Sequence, residues 1–397
     1  MRIAARVSRI KPSATLAMTA KAKVLSASGI PVIDFGVGEP DFDTPDVIKR
    51  EGIQAIESGF TKYTAPGGIE PLKKAVAQKV YEKSNVSYET KEVLISCGAK
   101  HSLYNIAQAI IDPGDEVIIP APYWVSYPDQ IQINEGTPVF LPTREEDGFL
   151  LHPEDLERMI TPRTRALILN SPSNPTGAAY PRKALEKIAE VVLKHKILVI
   201  YDEIYEQIVY DGFTHVCFPA IDPALKPLTL IVNGVSKAYS MTGWRIGYTL
   251  GPAEIIKAME NIQSQSTSNP TSFSQKAAIT ALEKGDPYTR EMVLEFDKRR
   301  KYIVKRLNNI PGVRCFLPQG AFYAFPNISS HLGKTSHSGQ IKTSIDLSEY
   351  LLEDAHVATV AGSPFGDDRY IRLSYATGMD KIQKGLDQIE KSLLKLK

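Results

Sequence analysis

Four polar clusters in this sequence stand at the ends of short apolar runs. Cys97-Gly98-Ala99-Lys100 follows VLIS, and Ser171-Pro172-Ser173-Asn174-Pro175-Thr176-Gly177 follows RALILN. Tyr201-Asp202-Glu203-Ile204-Tyr205 follows ILVI, and Ser236-Lys237 comes just after TLIVNG. A glycine before a helix start, with a lysine alongside, offers free N–H groups and the positive end of the helix dipole to an anion. Asn174, in a turn stiffened by prolines and a glycine, can present both a donor and an acceptor. A carboxylate at a buried strand end, Asp202, is costly unless paired with a positive group, and a protonated ring nitrogen would serve. Lys237, hemmed by small and aromatic residues, is a candidate for a desolvated amine of depressed pKa, the state a Schiff-base lysine requires. Arg245 follows, flanked by Gly243 and Gly247, which allow close backbone approach.

Each feature has a plainer reading in isolation: an ordinary strand–helix turn, an Asx turn, a salt bridge, a surface lysine. Together they fit one ligand. A phosphate cradle, an aspartate for a pyridinium nitrogen, a tyrosine and an asparagine for a phenolate oxygen, and a lysine for an aldehyde describe pyridoxal 5′-phosphate. A carboxylate on the ring nitrogen keeps that ring protonated, as an electron sink.

The elements that must position these groups alternate along the chain. Strand-like runs at Val93 to Ser96, Glu116 to Pro120, Arg165 to Asn170, Ile197 to Asp202, Thr229 to Gly234 and Arg245 to Leu250 are separated by helical patterns, among them Lys100 to Ile111 and Ala184 to His195. Continuous apolar strands between helices predict an α/β fold with a mostly parallel sheet covered on both faces. Ligands of such sheets sit beyond the strands' carboxyl ends. After about residue 287 the rhythm changes to a long charged helix (Glu291 to Leu307), short strands at Val313 to Leu317, Ala321 to Pro326 and Tyr370 to Ala376, and a terminal helix from Asp380 to Leu396. This predicts a smaller α+β unit, with boundaries at 1–45 for an N-terminal arm and part of the small domain, 46–286 for the large domain and 287–397 for the C-terminal small domain. Ser329 to Ser344, rich in Ser, Gly, Lys and His, reads as a mobile surface loop.

The chain's 397 residues, 47 basic against 45 acidic for a formal charge of +2, provide no global field for nucleic acid or an anionic membrane. Three distant cysteines without a CxxC suit a reducing compartment and argue against disulfides or a zinc ribbon. The histidines show no metal-ligand spacing, and His331 and His337 are expected to be solvated. With no apolar run long enough for a signal peptide or a bilayer span, the expectation is a soluble, cytoplasmic protein.

The segments KPSAT (Lys11 to Thr15), GEPDFDTP (Gly38 to Pro45), YTAPGG (Tyr63 to Gly68) and PYWVSYP (Pro122 to Pro128), with Ser171 to Gly177, Asp202 to Tyr205, Ser236 to Tyr248 and RYIRLSYA (Arg369 to Ala376), occur in the order seen in a known family. On them the sequence resembles a fold-type I, class I pyridoxal-phosphate aminotransferase, of the bacterial aspartate aminotransferase subgroup that includes aspartate/prephenate aminotransferases. The resemblance implies roles. Lys237 would bind the cofactor covalently and then act as general base. Asp202 would pair with the pyridinium nitrogen, Tyr205 and Asn174 would bond the phenolic oxygen, and Trp124 would stack on the ring. The backbone groups of Gly98, Ala99 and Lys100, with Ser236 and Arg245, would hold the phosphate. Tyr63 would reach it from a neighbouring subunit, making a homodimer part of the site. Arg372 would grip the substrate α-carboxylate, helped by Asn174 and Gly38, while Tyr375 and the strand Gly320 to Phe325 would supply wall.

One departure bears on substrate. The better-known aspartate aminotransferases read the distal carboxylate with a partner-subunit arginine after the catalytic lysine, but no arginine lies between Arg245 and Arg290 here. The subgroup instead uses a lysine in the cradle, Lys100, with Ser13 and Thr15 on an N-terminal segment. Lys100 is a point charge without fork geometry, so looser dicarboxylate selectivity is expected. Lys11 is placed to meet a second carboxylate on a larger acid such as prephenate, or is a solvated tail residue. The implied reaction is ping-pong transfer of the amino group from L-aspartate or L-glutamate to 2-oxoglutarate or oxaloacetate, with the small domain and N-terminal arm closing over the substrate. The competing reading is another enzyme of this fold, an aromatic or alanine aminotransferase or a C–S β-lyase, which would not use Lys100 for a second carboxylate. A transcription regulator on the same body would need a helix-turn-helix module, for which no segment is seen, and a nicotinamide-binding Rossmann enzyme is disfavoured because no G-x-G-x-x-G follows the first strand.

Overall fold

The computed structural model describes residues 3–10, 14–337 and 339–397. Its central sheet has seven strands: β1 (Val93–Ser96), β2 (Glu116–Ala121), β3 (Thr137–Pro142), β4 (Thr164–Asn170), β5 (Leu198–Asp202), β6 (Thr229–Gly234) and β7 (Gly247–Leu250), in the order β1-β7-β6-β5-β4-β2-β3. Strand β7 is antiparallel to both neighbours, and the remaining pairs are parallel. This is the mostly parallel α/β layer that the apolar runs predict.

The period of two along each strand divides the sheet's faces. Ile168, Ile200 and Val232 share one core with Leu103 and Ile106 of helix Ala99–Ile110 and Met259 of helix Ala253–Ser266. Leu167, Leu169, Val199 and Tyr201 face the other way, onto Leu185, Ile188 and Val192 of helix Arg182–His195. The alternation also sorts the polar strand ends. Asn170 and Asp202 stand opposite each other in the β4–β5 register and continue the Ile168/Ile200 face. Glu203, one residue on, falls on the far side, where it bonds His215 Nε2 at 2.9 Å.

The C-terminal part begins with helix Asp286–Asn308 and ends with helix Met379–Leu393. Between them strands β8 (Tyr323–Ala324), β9 (Val360–Ala361) and β10 (Ile371–Ser374) pair antiparallel in the order β9-β10-β8. The N-terminal segment joins this part: Ile33–Asp34 pairs parallel with Val357–Ala358, and Ser374 N donates to Phe35 O. From there the chain runs through Gly36 and Gly38 toward the carboxyl ends of the central strands.

Two local expectations are corrected. Val313 to Leu317 is not a strand. A single bridge links Arg314 to Asn327, and the Asn308 side chain takes both backbone groups of Cys315, so those groups are satisfied without a ladder. Ser329 to Ser344 is not a solvated loop throughout: it holds a 3-10 turn (Ser329–His331) and a short hairpin, and it leads into the capping box of Thr343 and Asp346. His331 is buried, its Nε2 against Pro311 O at 3.1 Å and its Nδ1 beside Lys334 Nζ, whereas His337 is exposed. Among the described residues no helix is long and apolar enough to cross a membrane.

Leu167 is fully buried between the sheet and helix Arg182–His195. Leu167→Ala should lower stability by roughly 2–5 kcal/mol through lost burial plus a cavity. Urea unfolding measures it, and a loss below about 1 kcal/mol would mean that this face is not close-packed.

Candidate active site

The carboxyl ends of β4, β5 and β6 open onto a cavity of ≈ 290 Å³. Asn174, Asp202, Tyr205, Ser236, Lys237 and Arg245 line it from the large sheet, as do Ala99, Lys100 and Trp124 from the helix and loop beside it. Gly38, Tyr323 and Arg372 close it from the other side. The four strand-end clusters therefore meet in one place.

The β5 end is the negative pole. Asp202 is 4% exposed and has no lysine or arginine ion-pair partner among the described residues. Tyr127 donates to Oδ2 at 2.6 Å and the Ile204 amide to Oδ1 at 3.2 Å. Burial nevertheless pushes the carboxyl up to about 6, against those two bonds. A salt bridge, the plainer reading of this residue, is thus not what the fold builds. A buried acid left open toward a cavity suits a cationic ring nitrogen.

Lys237 sits in the turn after β6, and its Nζ donates to the Gly38 carbonyl at 2.6 Å. Burial pulls its pKa down to about 8, so a sizeable share of the amine is neutral near physiological pH. Arg245, in a left-handed conformation at φ 57°, donates to Thr242 O and Cys97 O. It lies against Gly98, where a Cβ would sit 2.2 Å from its Nη2. Gly98 (φ +90°) heads helix Ala99–Ile110, and among the described residues its first two amides, Ala99 and Lys100, have no carbonyl behind them, whereas His101 N already donates to Gly98 O. Close approach is enforced at Gly247, where a Cβ would meet Ala99 N at 2.2 Å, but not at Gly243, which has open space. Lys100 Nζ lies 4.8 Å from the Trp124 ring centroid at the mouth, and burial lowers its pKa.

Arg372 on β10 is the buried cation. It is 2% exposed, donates from Nη1 to Asn174 Oδ1 (3.0 Å) and from Nη2 to Gly36 O (2.6 Å), and leaves Nε without a partner among the described residues. Lys100, Lys237, Arg245 and Arg372 make no ion pair among the described residues. A cavity with four cations around one carboxylate is built for a polyanion. The unpartnered Nε, the glycine-headed cradle beside Arg245, the open acid and the amine of lowered pKa fit pyridoxal 5′-phosphate with an amino acid: phosphate, ring nitrogen, aldehyde and carboxylate each find a group of suitable chemistry.

Tyr63 is 90% exposed and does not line this cavity. Lys11 and Ser13 lie outside the described residues, as does the side chain of Thr15, whose backbone belongs to helix Ala14–Ala27. Among the pocket residues the sequence reading missed are Tyr127, which holds Asp202, and Asn170, whose Oδ1 accepts from the Asn174 backbone N–H at 2.9 Å; Tyr323 lies in the strand expected as wall, but its hydroxyl, 2.7 Å from that of Tyr205, was not foreseen. The only available signals were a second tyrosine in PYWVSYP and a polar terminus on RALILN.

The fold and the cleft are those of a fold-type I pyridoxal-phosphate enzyme. The family model "Aminotransferase class I and II" matches residues 30–389, and the chain belongs to that family of cofactor-dependent transferases. It is 47% identical to "Aspartate aminotransferase" of Geobacillus stearothermophilus over 98% of each chain. To "Aspartate/prephenate aminotransferase" of Nitrosomonas europaea it is 48% identical, over 98% of this chain and 99% of the relative. The crystal structure of the Rhizobium meliloti aspartate aminotransferase superposes with a TM-score of 0.96 at 47% identity, covering all of both chains. The Thermus thermophilus aspartate aminotransferase with maleate gives 0.93 at 40% identity, over 99% of this chain and 100% of that one.

An aspartate that is more basic in the folded chain than in the unfolded one binds a proton on folding between about pH 4 and pH 6, so its ionised form costs stability above that window. Apoprotein carrying Asp202→Asn should be more stable than wild-type apoprotein at about pH 8, by roughly 1–3 kcal/mol, with the gap closing toward about pH 4. Urea unfolding at the two pH values tests this, and a pH-independent gap would contradict it.

Proposed function

We propose that this enzyme transfers the amino group of L-aspartate or L-glutamate to 2-oxoglutarate or oxaloacetate by a ping-pong route. The observation that carries the reading is a pocket lined by two cations without a carboxylate partner among the described residues. Arg372 is buried, and Lys100 is exposed beside the Trp124 ring. Together they suit the two carboxylates of a short dicarboxylic amino acid, as the names of the relatives above support.

Bound pyridoxal phosphate would supply an aldehyde for amine exchange and a ring that withdraws electrons from the substrate Cα. Lys237 would hold that aldehyde, Asp202 the ring nitrogen, Tyr205 and Asn174 the phenolic oxygen, and Trp124 the ring face. The backbone groups of Gly98, Ala99 and Lys100, with Ser236 and Arg245, would hold the phosphate. Arg372, positioned by Asn174 and Gly36, orients the substrate by a two-pronged charge-assisted pair on its α-carboxylate. With the substrate so placed and Gly38 beside the amine, Lys237 Nζ takes the proton from Cα and later returns one. Tyr127 keeps Asp202 aimed and ionised through its bond to Oδ2.

The chain divides on this reading into an N-terminal arm (1–45), a large domain (46–286) and a C-terminal domain (287–397), the arm and the last closing the cleft and excluding water. Exposed Tyr63 supports a homodimer in which it reaches the partner's phosphate site. Ser13, Thr15 and Lys11 would meet the distal end of the substrate. Free Cys97, Cys217 and Cys315 accord with a cytoplasmic setting.

Purified holoenzyme should be yellow and bleach with aspartate far more readily than with alanine or phenylalanine. A preference for a neutral donor would support instead an alanine- or aromatic-type enzyme or a C–S β-lyase. Prephenate belongs in the same acceptor panel, since one relative carries it in its name. Lys237→Ala should cut turnover by at least about 10³-fold and abolish bleaching. Lys100→Ala should lower kcat/KM roughly tenfold or more for aspartate while sparing alanine. Equal losses for both donors would remove Lys100 from distal-carboxylate recognition.

A further inference from the structure

Tyr323, in the strand expected to serve as wall, touches two groups of different function. It is 1% exposed, and its hydroxyl lies 2.7 Å from the Tyr205 hydroxyl. Its ring lies under the Arg372 guanidinium, 4.6 Å from the centroid. Register explains the second contact. Tyr323 pairs with Ser374 across β8–β10, and Arg372, two residues back, shares that face as the diagonal neighbour. The hydroxyl also presses on the entering N-terminal segment, since a Cβ at Gly38 would lie 2.9 Å from it.

Proton counting gives the contact a direction. Two phenols carry two protons, but only one can lie between their oxygens. If Tyr205 donated it, the Tyr323 proton would have no acceptor among the described residues, and Tyr205 would have none left for a ligand. If Tyr323 donates, every proton is used, because Tyr205 lines the cavity and can donate onward. Both phenols stay protonated, burial raising each, with Arg372 acting in the opposite direction on both. The other charges facing this group are Asp202, which acts on Tyr205, Asp34, which acts on Arg372, and Lys237 with Glu39 beside it. A cation over a phenol strengthens it as a donor, and donors in series reinforce one another.

We infer that Tyr323 is a positioning residue that fixes Tyr205 as a donor to the cofactor's phenolic oxygen and makes that donation sensitive to whether a carboxylate occupies Arg372. The inference rests on the roles proposed above for Tyr205 and Arg372. While Arg372 lacks a counter-charge, the series donates strongly and the phenolic oxygen keeps its negative charge easily. Once a carboxylate neutralises Arg372, donation weakens and the cofactor's proton affinity rises. Tyr323 thereby adds a hydroxyl route to the direct bond between Arg372 and Asn174.

The test is a pH titration of the holoenzyme's visible absorbance, with and without maleate as a non-reacting dicarboxylate. In wild type, maleate should raise the midpoint. Tyr323→Phe keeps the ring under Arg372 and removes only the hydroxyl. It should raise the maleate-free midpoint by about 0.3–0.7 pH units and reduce the further rise caused by maleate, leaving the part carried by the Arg372–Asn174 bond. Tyr205→Phe should raise the midpoint more, and the double variant should match Tyr205→Phe alone, because Tyr323 acts only through Tyr205. Additive shifts, or an unmoved midpoint in Tyr323→Phe where Tyr205→Phe moves it, would overturn the inference and leave the site reading standing. An unmoved midpoint in Tyr205→Phe would remove both.

Discussion

Burying charge without a counter-charge is among the most expensive things a fold can do, and this one does it twice within a single cleft. Asp202 ends β5 with only a tyrosine hydroxyl and one amide, and Arg372 sits inside with its Nε unpartnered. Among the described residues neither forms an ion pair with the other or with a neighbour, although opposite charges in a core ordinarily find each other. The architecture keeps them apart by placing one at the end of the large sheet and the other on the small antiparallel sheet, each held by hydrogen bonds that fix geometry without neutralising charge. What those charges lack, a cationic ring nitrogen and a carboxylate would complete.

The parallel sheet makes the first half of this arrangement inexpensive. Its interior strands are apolar on both faces, so rigidity comes from packing against helices and polar groups are confined to the strand ends. Asn170 and Asp202 are brought side by side by the β4–β5 register, and the turns that follow carry Asn174 and Tyr205 into the same crevice. The antiparallel insertion of β7 between β1 and β6 lets Gly247 press against Ala99, which seats the helix start beside Arg245.

The second half depends on a short stretch of backbone. Gly36 and Gly38 accept from Arg372 and Lys237 respectively, so the N-terminal segment ties the carboxylate-binding group to the reactive amine. Tyr323 adds a side-chain link from Arg372 to Tyr205. Three routes therefore join the small sheet to the cofactor-facing residues: one through carbonyls, one through hydroxyls, and the direct bond from Arg372 to Asn174 Oδ1. Each can carry information about an occupied Arg372 toward the ring.

Much of this was legible along the chain. Strand runs, the helix faces at Ala99–Ile110 and Arg182–His195, and the polar residues past each strand end follow from local periodicity, which one dimension records faithfully. That is why Lys237, Asp202, Tyr205, Asn174 and Arg245 stand out in the sequence and line one cavity, whereas Arg372, which lines it too, was marked only by the family resemblance of its segment. What the sequence could not decide are contacts between residues far apart whose own surroundings look ordinary. Tyr127 meets Asp202 across 75 positions and Tyr205 meets Tyr323 across 118, and neither tyrosine carries a local sign of its partner. The burial of His331 and the open space at Gly243 were misjudged for the same reason: composition says what a residue can do, but only packing says whether water or another atom stands beside it. Local chemistry thus determined the parts and the crevice they share, while strand register and the docking of two sheets determined which hydroxyls and carbonyls connect them.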